Sequence, residues 1–193
     1  LRGVARRQAS LGGDVSTTYV LAIDPGVRGC GAALFQGDGS DRLIAAAYVV
    51  FSRRDDEICS VPFAVREWVS ARADSLAVKR VVLEFPQTYR GRAARGDTND
   101  LLSLAFVDGA IAALFAVADV ALVRPFDWKG SVPKPVSATG DYIIRSRVEA
   151  RLSSDEKTAV VWPKNGRHSW DVADAVGIGL HHLGRFAPQR GAR

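Results

Sequence analysis

Four acids stand apart from the rest of the chain by where they fall: Asp24, Glu84, Asp171 and Asp174. Asp24 ends an apolar run and opens the turn Asp24-Pro25-Gly26, and Glu84 ends a second, β-branched run. Asp171 and Asp174 are three apart in an apolar helical pattern, so they share a face. Strand ends in an open α/β sheet line the crevice where ligands gather. Carboxylates brought together there repel unless a cation or a proton lies between them. Such oxygen donors favour hard divalent ions, Mg2+ or Mn2+. Two ions about 4 Å apart would polarise a phosphodiester, ionise a water and stabilise the leaving 3′-oxygen. That chemistry needs no nucleophilic Ser or Cys, and neither a Ser–His–Asp pattern nor a zinc-type Cys/His cluster is present. Taken singly, each acid also fits a plainer role as a turn residue, a solvated strand end or a complement to a helix dipole. The four in this order are what point to a metal site.

The elements that must position them follow from pattern. Residues 19–23 read as a buried strand closing on a turn, 30–35 as a second strand left at Gly37-Asp38-Gly39-Ser40, and 43–51 as a third. Short turns between them predict a meander. Residues 61–78 have helical spacing, with Phe63, Val65, Trp68, Val69 and Leu76 as inward positions. Residues 80–83 form a fourth strand ending at Glu84. Thr98 or Asn99 caps a helix over 100–118, and 120–123 make a fifth strand stopped by Pro125. A loop holding Trp128, Lys129 and Lys134 fills 125–139. A polar amphipathic helix covers 140–152, and a last helix over 169–183 is closed by Gly184. Three antiparallel strands followed by two parallel strands and flanking helices predict a mixed five-stranded α/β fold.

Size and composition set the outer bounds. The 193 residues suit one domain, expected over 18–185, with a flexible basic arm at 1–17 and a basic tail at 186–193. Two cysteines, Cys30 and Cys59, cannot build a disulfide framework. The net charge of +5 suits an anionic partner without demonstrating one. The apolar stretch 101–123 approaches a bilayer span in length, but Asp108 and Asp119 interrupt it. It is expected to be a buried helix running into a strand, with no membrane partner. The first 17 residues lack an apolar signal core, and an organelle transit segment is the weaker reading of them.

The motifs Ala22-Ile23-Asp24-Pro25-Gly26 with Gly29-Cys30-Gly31, then Val81-Val82-Leu83-Glu84, then Asp171-Val172-Ala173-Asp174-Ala175-Val176-Gly177 resemble those of RuvC-type Holliday junction resolvases, in the ribonuclease H-like superfamily. The resemblance spans residues 19–184, and Glu84-Phe85-Pro86-Gln87 with Asn99-Asp100-Leu101-Leu102 looks closest to compact phage-type members. It implies a ribonuclease H-like fold and a homodimer that cuts two opposed strands of a four-way DNA junction. It also implies Mg2+ or Mn2+ ligation by Asp24, Glu84, Asp171 and Asp174, with Asp24 bridging two ions and Glu84 helping to place the attacking water. Trp128-Lys129-Gly130 matches a family loop that brings a lysine to the scissile phosphate. Its rival reading is an exposed lysine beside a packed tryptophan. His168 precedes Asp171 by three and is an outer candidate behind the ligands, or else helix-entry packing. A DNA-processing role places the protein in the cytoplasm of a bacterial or phage-infected cell.

The segment Tyr89-Arg90-Gly91-Arg92-Ala93-Ala94-Arg95-Gly96 follows Glu84 closely. Small and basic, it is expected to lie along phosphates through Arg90, Arg92 and Arg95, while Tyr89 or Phe85 stacks on an unpaired base. Lys134 is a further candidate DNA contact. The helix 100–118, apolar nearly all round, is a candidate dimer surface. Three rivals stand beside the resolvase reading. One is a ribonuclease H-like nuclease for RNA or an RNA–DNA hybrid, and another is a junction-binding module without catalysis. The third, a sugar-kinase or actin-like ATPase, needs a second domain and a second Gly-rich phosphate loop that this chain lacks.

Overall fold

The computed structural model describes residues 17–50, 60–86, 98–116, 118–130, 132 and 142–186. The arm at 1–16, most of the tail, Lys134, and the loop residues Tyr89, Arg90, Arg92 and Arg95 lie outside them.

Strands β1 (Tyr19–Asp24), β2 (Cys30–Gln36), β3 (Leu43–Val49), β4 (Val78–Glu84) and β5 (Asp119–Val123) form one sheet in the order β3-β2-β1-β4-β5. The first three pair antiparallel, while β4 and β5 run parallel to β1. This is the expected mixed sheet. Alternation along each strand splits its side chains between two cores. Val20, Ala22, Ala33, Phe35 and Val82 face one core together with helix α6 (Gly166–His182). Leu21, Ile23, Ala32, Leu34, Val81 and Leu83 face the other, with helices α1 (Ser60–Ser70) and α2 (Thr98–Leu114). Continuous apolar runs in β1 and β4 therefore reflect burial on both faces.

Two glycines of α6 set how closely it lies on its neighbours. A Cβ at Gly179 would stand 2.1 Å from the Phe35 ring, and one at Gly177 would stand 2.4 Å from the Trp128 ring. Gly31 does the same from the sheet side, since a Cβ there would meet the Asp171 carbonyl oxygen at 1.9 Å. Gly31 of the Gly29-Cys30-Gly31 motif thus serves close packing of strand and helix.

Several boundaries differ from the sequence reading. The helix expected over 61–78 ends at Ser70. Asp74 then accepts a hydrogen bond from the Leu76 amide and opens a short 3-10 turn, so that Val78 already belongs to β4. Phe63 and Leu76, expected inward, are exposed, whereas Val65 and Val69 are buried. The loop expected from Pro125 begins instead as a one-turn helix, α3 (Pro125–Lys129), with proline near its start, where a missing N–H is tolerated. Helix α4 (Ile143–Glu149) is shorter than the periodic segment that contains it. Helix α5 (Ser154–Thr158) was not expected, although Ser153 and Glu156 form a full capping box at its start. Among the described residues no helix is long and apolar enough to cross a membrane.

Glu156 also ties distant elements together. Its carboxylate accepts the Leu43 amide at 2.9 Å, the Ser153 amide at 2.9 Å, and both terminal nitrogens of Arg185 at 2.7 and 2.9 Å. Burial pushes this carboxyl up, but the Arg185 hydrogen bonds, the two amides and the Arg185 charge outweigh it and hold the group at about 2, below its usual 4.5. A depressed acid stabilises the fold above its unfolded pKa, and that contribution is lost as pH falls toward its folded value. Glu156→Gln should therefore cost on the order of 3 kcal/mol at pH 7. Denaturant melts taken from pH 7 downward should show the gap to the parent protein shrinking steadily below about pH 5.

Candidate functional site

The sheet brings Asp24 and Glu84 together by register. Strands β1 and β4 are parallel neighbours with Ile23 opposite Leu83, so the next residue of each is an acid. Counting by twos, Asp24 follows Val20 and Ala22, and Glu84 follows Val82; both acids continue the rows that face α6. From α6, Asp174 completes the group. Asp24, Glu84 and Asp174 each offer a carboxylate oxygen within 4.8 Å of the others. Asp24 is 7% exposed and Asp174 is fully buried, so these charges have little bulk water to screen them.

Asp171, one turn earlier on α6 and only partly buried, is not in that group of three. It still bears on the same end of the sheet: burial raises the Cys30 thiol and the Tyr48 phenol, and the charges of Asp171 and Asp24 raise both further. The structure therefore gathers three of the four expected acids tightly and sets the fourth beside them. His168 does not join them either. Its ring lies flat against Tyr48, with centroids 3.9 Å apart and planes 5° from parallel.

Lys129 enters the acidic pocket from the end of α3. Its Nζ donates to Asp174 Oδ2 at 2.8 Å and to Glu84 Oε2 at 3.2 Å. The residue is buried, which removes the rival reading of an exposed lysine. Burial alone would lower its pKa, but the charges of Asp174, Glu84 and Asp24 outweigh that and raise it, so the ammonium stays charged. The neighbouring Trp128 is fully buried, and its Nε1 donates to the same Glu84 Oε2 at 2.8 Å. Tyr142 donates its hydroxyl to Asp174 Oδ1 at 2.5 Å. Both carboxylates are thus oriented by aromatic donors whose rings are packed in the core beside α6.

Sequence reasoning treated Trp128 only as packing and did not single out Tyr142. A buried indole N–H needs an acceptor, which was a usable signal for Trp128. Nothing in the sequence ties Tyr142 to Asp174, 32 positions away. Asp108 on α2 was noted only as a break in an apolar run. It is buried with neither carboxylate oxygen hydrogen-bonded, and desolvation, helped by the Glu84 charge, pushes it up to about 7. Phe85, next after Glu84, is 44% exposed and so has a free ring surface at the rim.

The donor set fits a hard divalent cation. It consists of carboxylate oxygens on three separate elements, held at mutual distances one ion can span. Thiolate chemistry does not compete, since Cys30 is buried and its thiol is pushed up by burial first and then by Asp24, Asp171 and Asp108.

No family model matches the chain, and no curated protein matches it in sequence. Solved structures do match in fold. Thermus thermophilus RuvC in complex with a Holliday junction substrate is 19% identical, with a TM-score of 0.54, covering 89% of this chain and 99% of that one. A second T. thermophilus RuvC structure is 18% identical with a TM-score of 0.52, covering 89% of this chain and all of the other. With its sheet order, strand directions and flanking helices, the chain has the ribonuclease H-like fold of the RuvC-type resolvases.

Proposed function

We propose that this protein is a divalent-cation-dependent DNA endonuclease that resolves four-way junctions as a homodimer. The observation that carries the reading is the convergence of Asp24, Glu84 and Asp174 from β1, β4 and α6 at one end of a RuvC-like sheet. The similar T. thermophilus RuvC is itself seen with a Holliday junction substrate.

In this reading Asp24, Glu84, Asp171 and Asp174 hold Mg2+ or Mn2+. When bound, such an ion supplies Lewis-acid charge to the phosphodiester and makes a bound water acidic enough to attack at neutral pH. Trp128 and Tyr142 fix the rotamers of Glu84 and Asp174, so the oxygens need not reorganise during the reaction. Glu84 lies at the rim and helps to place the attacking water. Lys129 brings a permanent positive charge to the place where the phosphate gains negative charge. Expulsion of the 3′-oxygen leaves a 5′-phosphate and a 3′-hydroxyl. Tyr89, Arg90, Arg92 and Arg95 are assigned to DNA on sequence grounds because they follow Glu84 closely, and Lys134 because it shares a loop segment with Lys129. The dimer reading is supported by α2, where Leu102 and Phe106, one turn apart, are 65% and 49% exposed.

The deciding experiment incubates the purified protein and Mg2+ with a synthetic four-way junction, a linear duplex and an RNA–DNA hybrid. Paired cuts in the junction alone are expected, abolished by a chelator. Asp24→Asn should lower the cleavage rate by about a hundredfold or more while leaving junction binding in gel-shift assays intact. Cleavage of the hybrid in preference to the junction would move the protein to the ribonuclease class, and an Asp24→Asn variant that still cuts would remove the acids from catalysis.

Trp128→Phe keeps the apolar filling but deletes the donor to Glu84 Oε2. Loss of an orienting partner of a metal ligand should reduce metal affinity or cleavage by about 10- to 100-fold. Thermal unfolding of the same variant should change little by comparison, which separates orientation of Glu84 from core packing.

A further inference from the structure

The Lys129 ammonium occupies the volume in which a divalent ion would be held. It lies within hydrogen-bond distance of two of the three carboxylates that converge there, at 2.8 Å from Asp174 and 3.2 Å from Glu84. Its side chain is 9% exposed, and the partners' side chains are 0% and 14% exposed, so water does little to screen the cation from the acids. Both acids that Lys129 pairs with belong to the group of three that would hold a metal. Asp174 already gives Oδ2 to Lys129 and Oδ1 to Tyr142, and Glu84 Oε2 already accepts both Trp128 and Lys129. An ion shared by the three carboxylates would have to sit close to Nζ, and two cations cannot share a poorly screened pocket without strong repulsion.

The stem that carries this ammonium allows it to leave. Lys129 is the last residue of the one-turn helix α3 and is followed by Gly130, whose φ is +68°. The ammonium reaches the acids past the face of the Trp128 ring, 4.8 Å from its centroid. Four rotatable bonds let Nζ swing away while Trp128 stays fixed in the core.

We propose that Lys129 is the resident cation of this pocket. Its ammonium neutralises Glu84 and Asp174 while no divalent ion is bound, competes with the ion for the same oxygens, and withdraws from them when the ion enters. The protein thereby folds with its acids assembled, at the expense of weaker metal affinity. The inference rests on the metal-site reading given above, but it concerns exchange of one cation for another and not catalysis.

The test needs no nucleic acid and no turnover. Calorimetric titration with Mn2+ compares the parent protein with Lys129→Met, which keeps an apolar stem and removes the charge. The variant should bind Mn2+ at least about tenfold more tightly. Equal or weaker binding by a folded variant overturns the proposal. If Lys129→Met does not fold, the parent protein alone decides. Acylation by an amine-reactive reagent, followed at Lys129 by peptide mass spectrometry, should be slow without metal and several-fold faster with saturating Mn2+. Labelling that stays the same or slows overturns the exchange. If Mn2+ binds neither protein, the metal reading itself falls, and this inference with it. If it binds both equally, the site stands and only the competition is lost.

Discussion

The central constraint is electrostatic: three carboxylates lie within 4.8 Å of one another at the end of a sheet, two of them nearly out of reach of water. Buried like charges at that range are tolerated only with compensating positive charge and hydrogen-bond donors. The fold supplies the Lys129 ammonium and the Trp128 indole from α3, and the Tyr142 hydroxyl from the residue just before α4. Asp174 depends most on them, since it sits fully buried in the middle of a helix whose neighbours Val172, Ala173, Ala175 and Val176 are all core. Those donors offset the charge that α6 carries into the centre of the molecule at Asp174.

Placing those donors dictates much of the packing around α6. Trp128 must reach under the helix to donate to Glu84, and Gly177 leaves the space that its ring fills. Gly179 does the same for Phe35, and Gly31 lets the sheet approach the backbone of α6 beside Asp171. Small residues at these contacts bring helix and sheet close enough for acids on both to share one pocket. Close packing and the metal-ready geometry are therefore one requirement.

The sheet half of this arrangement was legible in the sequence because it depends on local pattern. Apolar runs ending in Asp24 and Glu84 predicted strands, and period-two alternation then places both acids on the α6 side. The spacing of Asp171 and Asp174 predicted a shared helix face, yet the structure separates them by depth, burying Asp174 and leaving Asp171 partly exposed. Depth is set by how α6 sits on the sheet, which no local pattern encodes. Helix ends were misjudged where a polar residue competes for the backbone, as at Asp74, whose side chain starts a turn inside an apparently continuous helical period. The burial of Lys129 was hidden for a related reason. The resemblance pointed Lys129 toward the phosphate, but no local pattern shows that two acids enclose it.

That hidden lysine also explains how an acid-rich site can belong to the folded core. A pocket designed only for a divalent ion would be assembled only when the ion is present, because its unpaired charges would oppose folding. Here an internal ammonium satisfies the acids from within the chain, so α6 can dock on β1 and β2 before any ion arrives. The same ammonium, on a flexible stem, is the component most easily displaced. Trp128 and Tyr142 hold their acids from positions in the core and have no such freedom. The site therefore combines fixed donors that set the carboxylate geometry with one movable charge that stabilises it. That division follows from side-chain chemistry: rigid aromatic donors for orientation, and a long aliphatic cation for exchange.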